Sequence, residues 1–206
     1  MQRIPNTIVI ASSNAGKLSE IARLLGSLDV TVVPQAEFCV SDADETGATF
    51  TENALIKARH AAFATGFAAI ADDSGLTVDA LAGRPGVMSA RYSGPGATDE
   101  RNINRLLAEL ADVPDGQRGA AFHCVACFVM PDESEPLIAT GEWRGAILRQ
   151  RRGQGGFGYD PVFLDPDAAC SAAELSAADK NVRSHRGAAF RELAKMLDAR
   201  FKNFAQ

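Results

Sequence analysis

Phe67-Ala68-Ala69-Ile70-Ala71-Asp72-Asp73-Ser74-Gly75 is the stretch on which the reading of the fold depends. Residues 67–70 are an apolar run and predict a short buried strand. Two adjacent carboxylates, a Ser and a Gly follow, a composition that predicts a turn at the strand's end. In an α/β sheet, ligands are held at the carboxyl ends of parallel strands. Neighbouring carboxylates repel, and both stay ionised only beside positive charge, usually Mg²⁺ or a basic side chain. Taken alone, the stretch is also an ordinary acidic turn, so its meaning rests on its surroundings.

Upstream, residues 7–11 form a first apolar, β-rich run that ends at Ser12-Ser13-Asn14-Ala15-Gly16-Lys17. An amphipathic helix follows, with Leu18, Ile21, Leu24, Leu25 and Leu28 on one face. Strand, Ser/Asn/Gly loop and helix together aim backbone N–H groups at an anion, and Lys17 is placed to add a cation. The segment is not a P-loop. Ala11 stands where the first Gly would be, and Leu18 follows the Lys in place of a Mg²⁺-binding hydroxyl. Residues 31–33 predict a second short strand closed by Pro34, and a loop then carries the acidic run Asp42-Ala43-Asp44-Glu45. Thr49 and Glu52 form a capping box for a helix over 51–65. Its predicted buried side holds Leu55, Ala58 and Ala62, flanked by Ile56 and Phe63, and its other side holds Asn53, Lys57 and His60.

Downstream, residues 75–81 predict a short extended or turn-rich segment, and a helix runs from Thr98 to Leu110. Strands over 120–130 and 137–143 read as a hairpin, with a possible extension near 146–148. The loop Gly153-Gln154-Gly155-Gly156-Phe157-Gly158-Tyr159-Asp160-Pro161 lets backbone approach a ligand and offers aromatic rings for stacking. Lys180, Arg183, His185 and Arg186 form a basic group before a last helix with Phe190, Leu193, Leu197 and Phe201 in line.

Composition narrows the function classes. With 206 residues, 46% of them hydrophobic, the chain can bury one sizeable core or one domain of two lobes. A net charge of −5 argues against a broad nucleic-acid surface, so an anionic ligand needs a local basic cluster. No apolar run approaches the ~20 residues of a membrane span, and the first residues lack a signal peptide's apolar core, so a cytoplasmic protein is expected. Cys124 and Cys127 make a C-x-x-C inside a predicted strand, where residues three apart face opposite ways and cannot share a metal. Carboxylates, lysines and an anion loop point to Mg²⁺-dependent chemistry on a phosphate ester, and the aromatic loop to an ester that carries a base.

The chain resembles the Ham1-like inosine triphosphate pyrophosphatase family, also called dITP/XTP pyrophosphatases, nearly end to end. The resemblance rests on Ser12-Ser13-Asn14-x-Gly16-Lys17-x-x-Glu20, Glu45-Thr46-Gly47-x-x-Phe50-x-Glu52-Asn53-Ala54-x-x-Lys57-Ala58 and Ala71-Asp72-Asp73-Ser74-Gly75-Leu76. It rests further on Pro85-Gly86-x-x-Ser89-Ala90-Arg91-Tyr92, Gly155-Gly156-Phe157-Gly158-Tyr159-Asp160-Pro161 and Ser184-His185-Arg186-Gly187. Ser12 replaces a frequent Thr, and Asp44 precedes Glu45 where relatives often have two glutamates.

The resemblance implies a single α/β domain with an elongated central mixed sheet flanked by helices, in two lobes with a cleft between them, usually as a homodimer. It implies hydrolysis of ITP, dITP and XTP to the monophosphate and pyrophosphate. On this reading Asp73 is the general base, and Mg²⁺ is held by Asp73 with Asp44 or Glu45. Ser12, Ser13, Lys17, Lys57, Ser74 and the N–H groups across Asn14-Ala15-Gly16 meet the substrate. Phe157 stacks on the purine, with Gly158, Tyr159, Asp160, Lys180, His185 and Arg186 around the base. Two other classes remain: a non-catalytic purine nucleotide-binding module, and a phosphohydrolase releasing orthophosphate.

Overall fold

The computed structural model describes residues 5–26, 30–132 and 135–201. Leu28 and part of the turn between the two long predicted strands lie outside the described residues. The chain order is β1 (Thr7–Ile10), α1 (Ala15–Leu24), β2 (Thr31–Pro34), α2 (Phe50–Thr65), β3 (Ala68–Val78) and α3 (Asp99–Glu109). Then come β4 (Gly119–Val129), β5 (Leu137–Ile147), β6 (Phe163–Asp165), β7 (Cys170–Ser171), α4 (Ala177–Arg183) and α5 (His185–Phe201). The sheet order is β2-β1-β3-β4-β5-β6-β7. β1 pairs in parallel with β2 and β3, while β5–β6 and β6–β7 are antiparallel. This is the mixed α/β sheet the resemblance implies.

The chain divides into two compact units. The first takes Met1–Asp73, Cys124–Gly141 and Arg186–Gln206; the second takes Ser74–His123 and Glu142–His185.

In the first unit β1 and the first half of β3 are buried on both faces, which is why they read as continuous apolar runs. Ile8 and Ile10 of β1 and Ala68 and Ile70 of β3 pack with Ile21 and Leu25 from α1 and its C-cap. Phe190, Leu193, Leu197 and Phe201 of α5 complete that layer, as their spacing predicts. Val9 and Ala11, with Ala69 and Ala71, face the other way, onto Ala54, Ala58, Ala61 and Ala62 of α2. Small residues on α2 let it lie close to the sheet. The alternation also separates the cysteines: Cys124 packs in the first layer and Cys127 in the second. Burial pushes the Cys127 thiol up to about 12, which suits two packed thiols and no redox pair.

α2 opens with the predicted capping box, Thr49 Oγ1 accepting from the Glu52 N–H, and closes at Gly66 with φ +71°. Its buried side is rotated from the predicted one. Asn53 and Ala54 point inward, whereas Phe63 is 91% exposed.

The second unit gathers Leu76 and Val78 of β3, Ile103 and Leu106 of α3, and Phe122, Trp143 and Phe163 around one core. β6 and β7 are additions to the predicted elements, and Lys180 and Arg183 stand on a short helix of their own. β5 runs over Leu137–Ile147 as one strand, taking in the extension expected near 146–148. No helix among the described residues is long and apolar enough to cross a membrane.

The largest departure concerns the opening stretch. No turn forms at Asp72-Asp73-Ser74-Gly75; β3 runs straight through it for eleven residues. The charges that would favour a solvated turn are neutralised in place, and Leu76 and Val78 beyond them are buried and hold the strand on course.

Candidate active site

Because β3 stays extended, Asp72 and Asp73 project from opposite faces of the sheet. Asp72 shares the face of Ala68 and Ile70, and Asp73 the face of Ala69 and Ala71. Each therefore meets a different set of helices.

Asp72, 2% exposed, meets α1 and α5. Its Oδ2 lies 3.2 Å from Lys17 Nζ and 3.2 Å from an Arg186 Nη. Arg186, 1% exposed, also reaches Glu20 of α1 at 2.5 Å. One guanidinium thus ties the start of α5 to α1 and β3. Burial opposes the charge on Asp72, but Lys17, Arg186 and Lys57 outweigh it and hold the carboxyl well below the usual range. The same carboxylate keeps Arg186 firmly protonated against the effect of burial.

Asp73, 6% exposed, meets α2. Its Oδ1 lies 2.8 Å from Lys57 Nζ, and the same ammonium donates to Glu45 Oε1 at 2.7 Å. Its Oδ2 accepts from Asn53 Nδ2 at 3.3 Å. Burial raises the Asp73 carboxyl above its ordinary value, and the Glu45 charge adds to this, while Lys57 only partly offsets them. Burial works against the Lys57 ammonium, but Asp73 and Asp72 overcome it and raise its pKa. Lys57 thereby brings a strand carboxylate and a loop carboxylate to one cation. Of the acidic loop pair, Glu45 is the one on Lys57; Asp44 is exposed, and its carbonyl accepts from the Thr46 N–H. Among the described residues no group of three or more His, Cys, Asp or Glu is placed to hold a metal.

The anion loop has its own internal bonds. Ser12 Oγ accepts the Asn14 N–H at 3.2 Å, and Asn14 caps α1 by accepting the Lys17 N–H at 3.0 Å. Ser13 donates to Asp42 at 2.6 Å, and the buried Gln35 donates to the same carboxylate. The first-turn N–H groups of Ala15 and Gly16 have no acceptor within the helix. Loop and acidic segment are thus linked through Asp42.

The second unit holds a cluster of its own. Lys180 Nζ lies 2.6 Å from Asp160 Oδ2 and 4.7 Å from the centre of the Phe157 ring. Asp160 also accepts the Phe157 N–H at 2.9 Å. Gly156 (φ +72°) leaves no room for a side chain, since a Cβ there would fall 2.0 Å from Asp160 Oδ2. Gly158 donates its N–H to Asp99, and Tyr159 donates its buried hydroxyl to the Ser89 carbonyl. The His185 ring stacks on Phe122 at 4.7 Å and 10°. Ser74 is half-buried on β3.

Sequence reasoning gave Asn53, Glu20, Asp42 and Gln35 no role. Asn53 stood four residues before Lys57 on the same predicted face, and that spacing was the signal for it. Glu20 lay within the first family motif. Asp42 stood at the head of the acidic run, and nothing local marks Gln35.

The model of the Ham1 family matches residues 8–196. A dITP/XTP pyrophosphatase of Methylococcus capsulatus is 56% identical over 193 residues, covering 93% of this chain and 96% of that protein. One from Escherichia coli O157:H7 is 52% identical over 193 residues, with the same coverage of each. Among solved structures, a HAM1 protein from Coxiella burnetii superposes with a TM-score of 0.86 at 49% identity, over 94% of this chain and 98% of that one. The Staphylococcus aureus Ham1 protein gives 0.84 at 40% identity, over 94% and 99%.

Proposed function

The chain belongs to the Ham1 family, and from that membership we propose that it hydrolyses deaminated purine nucleoside triphosphates, ITP, dITP and XTP, to the monophosphate and pyrophosphate. The observation that carries the reading is the Lys57 ammonium between Asp73 and Glu45, at 2.8 and 2.7 Å. A carboxylate that burial makes more basic than usual, held beside a cation, suits a general base that takes a proton from water. Water so activated attacks the α-phosphorus, and pyrophosphate leaves.

Two carboxylates brought to one cation also form the hard-oxygen donor set that Mg²⁺ takes when substrate phosphates complete its shell. Asp73 and Glu45 would hold it, and the ion would supply charge neutralisation at the phosphate oxygens. Lys17 and the N–H groups of Ala15 and Gly16 bind phosphate oxygens. Lys57 keeps Asp73 and Glu45 in place and neutralises charge that develops beside them. Ser12, Ser13 and Ser74 offer hydroxyls to the same anion. In the second unit, Phe157 offers its ring to the purine, while Lys180 and Asp160 fix the loop that presents it. The family motif assigns His185 and Arg186 to selection of the 6-oxo group; the Arg186 guanidinium is buried on Asp72 and Glu20, so the motif and not its placement supports that role. A homodimer in the cytoplasm fits the same resemblance.

Incubation with Mg²⁺ and each of ITP, XTP, dITP, GTP and ATP, with the released anion identified, tests the reading. Pyrophosphate from the first three supports it. Orthophosphate would favour a phosphohydrolase, and tight binding without turnover a nucleotide-binding module.

A further inference from the structure

Asn53 is 0% exposed on the inner side of α2, and both ends of its amide are committed. Its Oδ1 accepts the Gly47 N–H at 2.8 Å, and its Nδ2 donates to Asp73 Oδ2 at 3.3 Å. These partners fix the amide orientation, since an N–H needs the oxygen and a carboxylate needs the nitrogen. Gly47 lies close against this side chain: a Cβ there would come 2.7 Å from Asn53 Oδ1 and 2.6 Å from Glu52 Cβ. Gly47 stands two residues after Glu45, the loop carboxylate on Lys57. Asp73 therefore has one oxygen on Lys57 and the other on Asn53, and the loop that carries Glu45 is pinned to the same amide.

We infer that Asn53 is a positioning residue for the hydrolysis: it sets the rotation of the Asp73 carboxylate and the placement of the Glu45 loop together. The inference rests on the role proposed for Asp73. An amide is required there because an acid could serve Gly47 but would set a second negative charge against Asp73. Asn53→Asp therefore separates the two functions, keeping the loop contact and losing the donor to Asp73. Asn53→Ala loses both.

The test measures ITP turnover with Mg²⁺, thermal stability, and amide exchange over residues 42–49 for wild type, N53A, N53D and the control A61G. Ala61 is buried on the same helix and its methyl side chain takes no part in the bonds to Asp73, Glu45 or Gly47, so A61G lowers stability without removing any of them. N53D should lose at least ~10-fold in kcat with KM within about 3-fold, and should keep slow exchange at Gly47. N53A should lose kcat and also exchange faster at Gly47. Wild-type kcat in either Asn53 variant, or an equal fall in A61G, would overturn the inference. A wild-type protein that does not hydrolyse ITP would instead overturn the proposed function. Unchanged Gly47 exchange in N53A would still overturn the inference in that case.

Discussion

Asp72 and Asp73 are neighbours in sequence and point to opposite faces of one strand, Asp72 onto Lys17 and Arg186 and Asp73 onto Lys57 and Asn53. Their substitutions should therefore fail in different ways. Asp73→Asn should abolish ITP turnover while leaving nucleotide binding and the fold in place. Turnover near the wild-type rate would remove Asp73 as the base. Calorimetry with ITP, run beside the kinetic assay, makes the distinction.

Asp72 and Arg186 form a buried pair, and losing one partner strands the other. Arg186→Met should cost about 3–5 kcal/mol in urea unfolding, because the buried Asp72 loses one of its two ion pairs and keeps the one with Lys17. The double variant Asp72→Asn/Arg186→Met should be destabilised by less than the sum of the single changes. Strict additivity would show that the pair does not couple.

The same pair sets an acid limit. Asp72 titrates well below the usual carboxylate range in the folded protein, and near 3.9 when unfolded. Its contribution to stability is thus complete above about pH 5 and is lost as the pH falls through and below that unfolded value. The gap between wild-type and Asp72→Asn urea midpoints should narrow below about pH 4. A gap that stays constant down to pH 3 would contradict the assignment.

Gly156→Ala places a methyl group against Asp160 and should break the Asp160–Lys180 pair. If the Phe157 loop serves the purine, KM for ITP should rise by about 10-fold, with a smaller change in kcat. Unchanged KM would take this loop out of substrate recognition.

Much of this arrangement is legible in the chain. The apolar run of β1, the Leu18-Ile21-Leu25 periodicity of α1, the Thr49–Glu52 capping box and the Phe190-Leu193-Leu197 stripe are local signals, and each produces the element it predicts. The course of β3 is not local. Asp-Asp-Ser-Gly has the composition of a turn, and it stays a strand because Lys17, Lys57 and Arg186, the last 114 positions away, neutralise it. The role of Asn53, unlike its spacing to Lys57, is not legible for a related reason. An Asn beside a Lys on a helix reads as solvated until a carboxylate on another element is known to face it.

The central claim is water attack at the α-phosphorus, and hydrolysis of ITP in ¹⁸O-labelled water tests it most directly. Mass analysis of the products should find the label in the monophosphate and none in the pyrophosphate. Label in the pyrophosphate, or in released orthophosphate, would contradict the account.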